Sequence, residues 1–285
     1  MRAKRIYWVV YNKGESVENK SGNILTGLKK QSTGIMFLSS NALKIIACIC
    51  MLTDHVGLVF MDNKWYMRAV GRLAFPIFAF LIVQGSVHTS NVRKYILRLA
   101  VFALISEIPF DLAIHDSLLY PGAQNVFFTL AAGLIAIYAL ESRGTLGGWG
   151  VEIALAVALV SEFLRFDYGM AGVGIIIMFY WCEKKKRTET PVGPGATGNL
   201  ALKIESVGPY TENPYKRQTY LSLRENVEVV IISVLTYILC LGVRQLYALI
   251  ALIPINMYNG KRGRWNLKYV FYLFYPVHLL IIWLI

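Results

Sequence analysis

Apolar residues fall in blocks of about 15–20 along this chain, separated by short polar stretches rich in Lys and Arg. A helix needs about 20 residues to cross the hydrocarbon of a bilayer. The pattern predicts an all-α polytopic transmembrane helix bundle of about nine spans, near 42–61, 68–87, 95–114, 123–141, 147–164, 168–182, 227–242, 244–258 and 268–285. Ser40 or Asn41 suits the N-cap of the first span. The stretch 147–182 divides at Arg165–Gly169, RFDYG. As one long helix it would send the KKKR run at 184–187 to the opposite side from the other basic loops.

The spans organise the chain into four parts: a basic tail over 1–41, a six-span block over 42–182, a loop over 183–226 and a three-span block over 227–285. The loop is rich in Gly, Pro, Thr and Asn, as in TPVGPGATGN, which reads as a flexible connector. With the N-terminus inside, the inner segments hold 22 Lys and Arg against 4 in the outer ones. That bias orients the bundle with a cytoplasmic N-terminus in the plasma (inner) membrane.

Composition agrees. The chain has 285 residues, 56% of them hydrophobic, and a mean hydropathy of +0.49; soluble domains run near about 45–50% apolar. The net charge of +12 follows the loops, so it reports topology and does not suggest nucleic acid. Cys48, Cys50, Cys182 and Cys240 lie in or beside apolar blocks, with no CxxC pair and no metal-type cluster with His. No GxxxxGK phosphate loop is present.

Several spans carry polar groups that hydrocarbon penalises by about 2.5–3.5 kcal/mol per charge on insertion scales. The first span holds Lys44 near its inner end and Asp54–His55 in its outer half. Lys44 and His55 are eleven residues apart, which returns to within about 20° of the same helix face and advances about 16 Å. The second span places Arg72 about one turn below the outer surface. Glu107 and Asp111 share a face of the third span, with Pro109 between them; Asn125 and Thr129 do the same on the fourth. The last span puts His278 in its outer half, one turn after Tyr275, with Pro276 expected as a kink. Asp54, His55, Arg72, Glu107, Asn125 and His278 thus converge at one depth from five spans.

Each residue also has a structural reading. Asp54 and Arg72 suit an ion pair; Glu107 and Asp111 suit a helix end. His278 could face the interface, Lys44 could snorkel, Cys48 could pack, and Gln84–Gly85 could pack or approach a ligand. His88 and His115 are expected in loops. As a set, an imidazole beside a carboxylate suits a general base whose tautomer the acid fixes, with a nearby Arg or Asn polarising an oxyanion. That chemistry is acyl transfer and needs no metal. The same residues would suit a proton relay in a transporter. A non-catalytic membrane component of an assembly machine, holding partners through 183–226, is a third possibility.

LTDHVG at 52–57, GRLAFPIFAFLIVQG at 71–85, KYILRLAVFALISEIPFDLA at 94–113, NVFFTLAAGLIAI at 125–137 and YLFYPVHLLII at 272–282 resemble the TraX family in the same order; 1–41 and 183–226 show no such motif. TraX proteins are inner-membrane proteins associated with conjugation, and the namesake acetylates a pilin N-terminus. The family is similar to the transmembrane acyltransferases, whose first span carries an Arg eleven residues before a His; here Lys44 takes the place of that Arg. The resemblance implies cytoplasmic acetyl-CoA as donor, its phosphates near Lys44 and its pantetheine arm along the Lys44–His55 stripe. His55 would act in transfer to an amine or hydroxyl, such as the N-terminus of a pilin-like peptide, in the outer half of the bilayer.

Overall fold

The computed structural model describes residues 36–142, 148–189, 242–265 and 267–285. The basic tail before residue 36, most of the 183–226 loop, the span expected at 227–242 and Cys240 lie outside the described residues, apart from Gly242. Among the described residues the chain is helical, with two isolated bridges, Leu38 to Tyr258 and Gln124 to Phe166, and no strand. In order the helices are α1 (Ser40–Val59), α2 (Trp65–Gly71), α3 (Ala74–His88), α4 (Val92–His115), α5 (Val126–Glu141), α6 (Gly150–Phe163), α7 (Gly169–Glu189), a 3-10 helix (Val243–Ala251), α8 (Leu252–Asn256) and α9 (Lys268–Leu284).

Short polar side chains start the helices. Ser39, one residue before the expected cap, accepts from the Ala42 N–H at 3.2 Å. Asn41 instead donates to the Trp265 carbonyl at 2.7 Å, tying the start of α1 to the segment before α9. Asn91 and Asn125 cap α4 and α5. The second expected span is divided at Arg72–Leu73. Pro76 causes the break: it lacks an N–H, and its ring crowds the carbonyl four residues earlier, at Arg72. Pro109 and Pro276 lie inside continuous helices.

Two expectations change here. The span expected at 244–258 is a 3-10 helix followed by a five-residue α-helix, where Pro254 denies Ile250 its α-helical partner. His88 and His115 end α3 and α4 instead of lying in loops, and His115 stacks on Tyr120 at 4.0 Å. The break expected at RFDYG is present between α6 and α7. It is made by left-handed backbone at Arg165 (φ 57°) and Gly169 (φ 47°).

α3 and α5 form the centre. α5 packs on α4, α6 and α7; α3 packs on α1, α5 and α7; α9 packs on α1 and α4. The outward faces are apolar. On α6, Val151, Leu155, Leu159 and Phe163 recur every fourth residue and are exposed, Phe163 to 85%. Leu97, Val101, Leu104 and Ile108 repeat this on α4, and Leu273, Val277, Leu280 and Leu284 on α9. Among the described residues, two helical segments, Ser40–Val59 and Trp65–His88, are long and apolar enough to cross a membrane; α5 and α9 are apolar but shorter.

Gly133 on α5 lies directly against Ile176 of α7, where an added Cβ would enter the Ile176 side chain. Gly133→Val is therefore expected to cost about 1–3 kcal/mol through overpacking. In detergent its thermal midpoint should fall below that of the parent chain; an unchanged midpoint would contradict this close approach.

Candidate functional site

α1 and α9 run side by side in the same direction. Near their starts, the Lys44 ammonium lies 5.3 Å from the Phe271 ring centre. Near their ends, His55 Nδ1 meets His278 Nε2 at 2.8 Å, with the ring planes 14° apart. The second nitrogen of His278, Nδ1, lies 2.8 Å from the Phe274 carbonyl oxygen. A carbonyl only accepts, so in the neutral pair Nδ1 of His278 carries the hydrogen. Nε2 of His278 then accepts from His55 Nδ1–H, and His55 is left with its lone pair on Nε2.

Tyr275, one turn before His278, links this pair to the rest of the site. Its ring is 5.6 Å from His278 and 6.2 Å from His55, edge-on to both. Its hydroxyl takes a hydrogen bond from the Val126 N–H, the first residue of α5, and lies within electrostatic reach of Asp167, Glu107 and Tyr168. Glu107 is fixed there by Asn125, whose backbone N–H and side-chain Nδ2 donate to Glu107 Oε2 at 3.2 and 2.5 Å. Nδ2 also donates to the Ala103 carbonyl at 2.7 Å, and Oδ1 accepts from the Phe127 N–H. The carboxylate therefore sits at the N-terminus of α5, where the helix dipole favours negative charge. With both amide hydrogens committed, Asn125 has none left for an oxyanion, against the sequence expectation. It positions Glu107. Asp111 is turned away and accepts from the Tyr120 N–H at 2.8 Å, holding the turn after α4.

Asp54 does not face His55; Arg68 holds it, and Arg72 acts on it electrostatically. Its Oδ2 pairs with Arg68 Nη1 at 2.6 Å, while its Oδ1 is buried without a hydrogen bond. The reason is geometric. Adjacent residues on a helix diverge by about 100°, so Asp54 faces α2 when His55 faces α9. Left-handed Asp62 and Asn63 reverse the chain tightly, and Gly71 leaves the space that the carboxylate fills. Tautomer control of His55, expected from a carboxylate, falls to His278 and a backbone carbonyl. Arg72, at the α2–α3 break, acts electrostatically on Asp54, His55, Asp167 and Tyr168.

Asp167 comes from the turn between α6 and α7. Gln124 N–H bonds the Arg165 carbonyl at 2.9 Å, and Tyr168 stacks on Phe75 at 3.8 Å, which pins this turn beside the start of α5. Lys44 lies apart, at the opposite end of α1. Gln84 bonds Glu183 at 3.0 Å and Gly85 backs onto the Tyr95 ring, so both pack. Cys48 is buried.

A family model described as TraX protein matches residues 39–205 and 209–285. The chain belongs to the TraX family. A relative from Dichelobacter nodosus, named probable fimbrial assembly protein FimC of serogroup H1, is 31% identical over 257 residues, covering 85% of this chain and 93% of the relative. Protein TraX of Escherichia coli is 29% identical over 140 residues, 48% of this chain and 54% of that protein. A Rickettsia prowazekii protein, RP591, is 23% identical over 147 residues, 50% of this chain and 56% of that protein. No solved structure matches. The TraX match runs through most of 183–226, a segment in which the motifs alone showed no likeness.

Sequence reasoning missed Arg68, Asp167, Tyr168 and Tyr275 at this TraX site. Asp62–Asn63, a pair that tolerates left-handed backbone, was the available sign that Arg68 folds back on Asp54. Tyr275 carried the i, i+3 relation to His278. Asp167 stood in a turn read only as a helix break.

Asp167 keeps solvent-accessible surface, yet the protein crowded around it pushes its carboxyl up from 3.8 to about 6, against the pull of Arg72. Between those values the folded chain holds a proton that the unfolded chain has released. This group's contribution to stability is therefore complete below about pH 4 and lost as pH rises through about 6. Asp167→Asn should flatten the fall in thermal midpoint across that window; parallel profiles for the two proteins would refute the assignment.

Proposed function

We propose that the chain is a multi-pass inner-membrane acetyltransferase that moves an acetyl group from cytoplasmic acetyl-CoA to an amine or hydroxyl at the outer half of the bilayer. The observation that carries this reading is the Phe274 carbonyl–His278–His55 chain of hydrogen bonds, which leaves His55 with an unprotonated Nε2. The apolar outward faces of α4, α6 and α9 support a lipid-facing helix bundle.

The acceptor nitrogen attacks the thioester carbonyl carbon; a C–N bond forms and the C–S bond breaks. The proton lost by the amine passes to His55 Nε2 and then to the departing sulfur, giving the CoA thiol. His278 receives the Nδ1–H bond that strengthens as His55 becomes cationic. The Tyr275 ring stands edge-on to both imidazoles, and Arg72, within electrostatic reach of His55, adds positive charge for the carbonyl oxygen. Glu107, Asp54 and Arg68 hold the surrounding frame.

The name of the Dichelobacter relative, a fimbrial assembly protein, together with the family's link to transfer, supports a pilin-like N-terminus as the acceptor. A proton-coupled transporter would use the same imidazoles but would need no acetyl donor.

Purified protein in lipid vesicles, given labelled acetyl-CoA and a pilin-type N-terminal peptide, should transfer label. His55→Ala should lose about 10²–10⁴-fold in rate. His278→Leu should also fall, whereas His278→Gln should recover activity, because its amide oxygen accepts from His55 Nδ1–H. Unchanged transfer in a normally inserted His55→Ala protein would overturn the reading.

A further inference from the structure

We infer that Asp167 receives the acceptor: its carboxylate holds the acceptor's ammonium beside the His55–His278 pair and takes the first of the two protons that an ammonium must lose. This rests on the acetyl-transfer reading above and narrows its acceptor to an amine.

Proton balance requires such a group. A peptide N-terminus is protonated near neutral pH, with an ordinary pKa of about 8. An ammonium has no lone pair, so it gives up one proton before it attacks and a second as the C–N bond forms. His55 offers one lone pair, at Nε2, because its Nδ1–H is committed to His278. That lone pair takes the second proton, and the first needs another base.

The other carboxylates of this end of the bundle are engaged. Asp54 Oδ2 is held by Arg68 at 2.6 Å, and Glu107 Oε2 by Asn125 at 2.5 and 3.2 Å. Asp111 Oδ2 takes the Tyr120 N–H at 2.8 Å, and Glu162 Oε2 takes the Met170 N–H at 2.9 Å. Among the described residues, no hydrogen bond or ion pair holds the Asp167 carboxylate. Protein crowds around Asp167, yet the residue is exposed, so it lines an open recess.

Its place is built by the fold. The Gln124 N–H bonds the Arg165 carbonyl at 2.9 Å, the Tyr168 N–H donates to Thr129 Oγ1 at 3.4 Å, and the Tyr168 ring stacks on Phe75 at 3.8 Å. These contacts press the turn that carries Asp167 against the first turns of α5. Tyr275 lies against the same part of α5, its ring 5.2 Å from that of Phe127 and its hydroxyl bonded to the Val126 N–H. Asp167 is the strongest charge acting on that hydroxyl.

The surrounding charges favour the proton transfer. Arg72, Asp54 and Arg68 act on Asp167, which acts in turn on Tyr168 and Tyr275. Asp54 and Arg68 match each other. Arg72, within reach of both Asp167 and His55, disfavours a further cation there and so favours the neutral amine over the ammonium. The carboxyl of Asp167, pushed up to about 6, is a stronger base than an ordinary aspartate. Ammonium and carboxylate become amine and carboxylic acid, and the open side of Asp167 returns that proton to water. A hydroxyl carries no such surplus proton and gains nothing from this residue.

The full-length protein in phosphatidylcholine vesicles, with labelled acetyl-CoA, tests this on two acceptors. One is a pilin-type peptide; the other is the same peptide with an aza residue first, whose terminal nitrogen is uncharged at neutral pH. Asp167→Asn should lower kcat/KM for the amine peptide about 10²-fold near neutral pH and leave the aza peptide within about threefold of the parent. The loss with the amine should shrink above about pH 9, where the free amine dominates, and Asp167→Glu should restore most of the rate. Binding of the amine peptide to the His55→Ala protein should weaken about tenfold when Asp167→Asn is added. An unchanged rate with the amine peptide would overturn the inference. So would equal losses with both acceptors at every pH, which would make Asp167 structural, or amine binding indifferent to the substitution. Amine binding that depends on Asp167, with no transfer by the parent protein, would uphold the ammonium site and overturn the acetyltransferase reading.

Discussion

The hydrogen bond between His55 and His278 is the interaction on which the arrangement of this molecule turns. An imidazole carries a donor and an acceptor on one small ring, and near hydrocarbon neither can be left unmet cheaply. The Phe274 carbonyl accepts from one ring; that ring accepts from the next. The direction of every proton in the chain follows from a backbone oxygen that can only accept. For the bond to form, α9 must lie against α1 in the same direction, and Tyr275 is thereby carried to the start of α5.

Two helix interruptions supply the rest. Arg72 lies at the α2–α3 junction, within electrostatic reach of His55, as does Arg68 from inside α2. The turn after α6 places Asp167 near Arg72. The first interruption leaves the buried centre intact, because α3 resumes after it with a largely buried apolar surface. Along α1, Lys44 stands near one end and His55 near the other, with a largely apolar stretch of helix between them.

The sequence marked which polar residues belong together, but not their direction around each helix. The structure sets His55, Glu107, Asn125 and His278 about Tyr275, while Arg72 acts on His55, Asp167 and Tyr168. Which side chain bonds which depends on rotation about each axis and on turns whose backbone no periodicity encodes. Asp54 illustrates this: Arg72 acts on it electrostatically, and the tight reversal at Asp62–Asn63 also brings Arg68 within hydrogen-bond distance. Asn125 illustrates a second limit. Its polar character marked the site, yet the sequence could not reveal that Glu107 and the Ala103 carbonyl use up both of its amide hydrogens. The 244–258 segment was misread for a third reason, since hydropathy ignores what Pro254 does to the backbone before it.

The two imidazoles stand 223 residues apart in the chain. A ribosome has therefore made the earlier helices long before the second ring exists. Until α9 arrives, the ring on α1 has no neighbour to hold its proton in place. A polypeptide interrupted before α9 would leave the ring on α1 without this partner, so the hydrogen-bonded pair can form only once the last helix has packed.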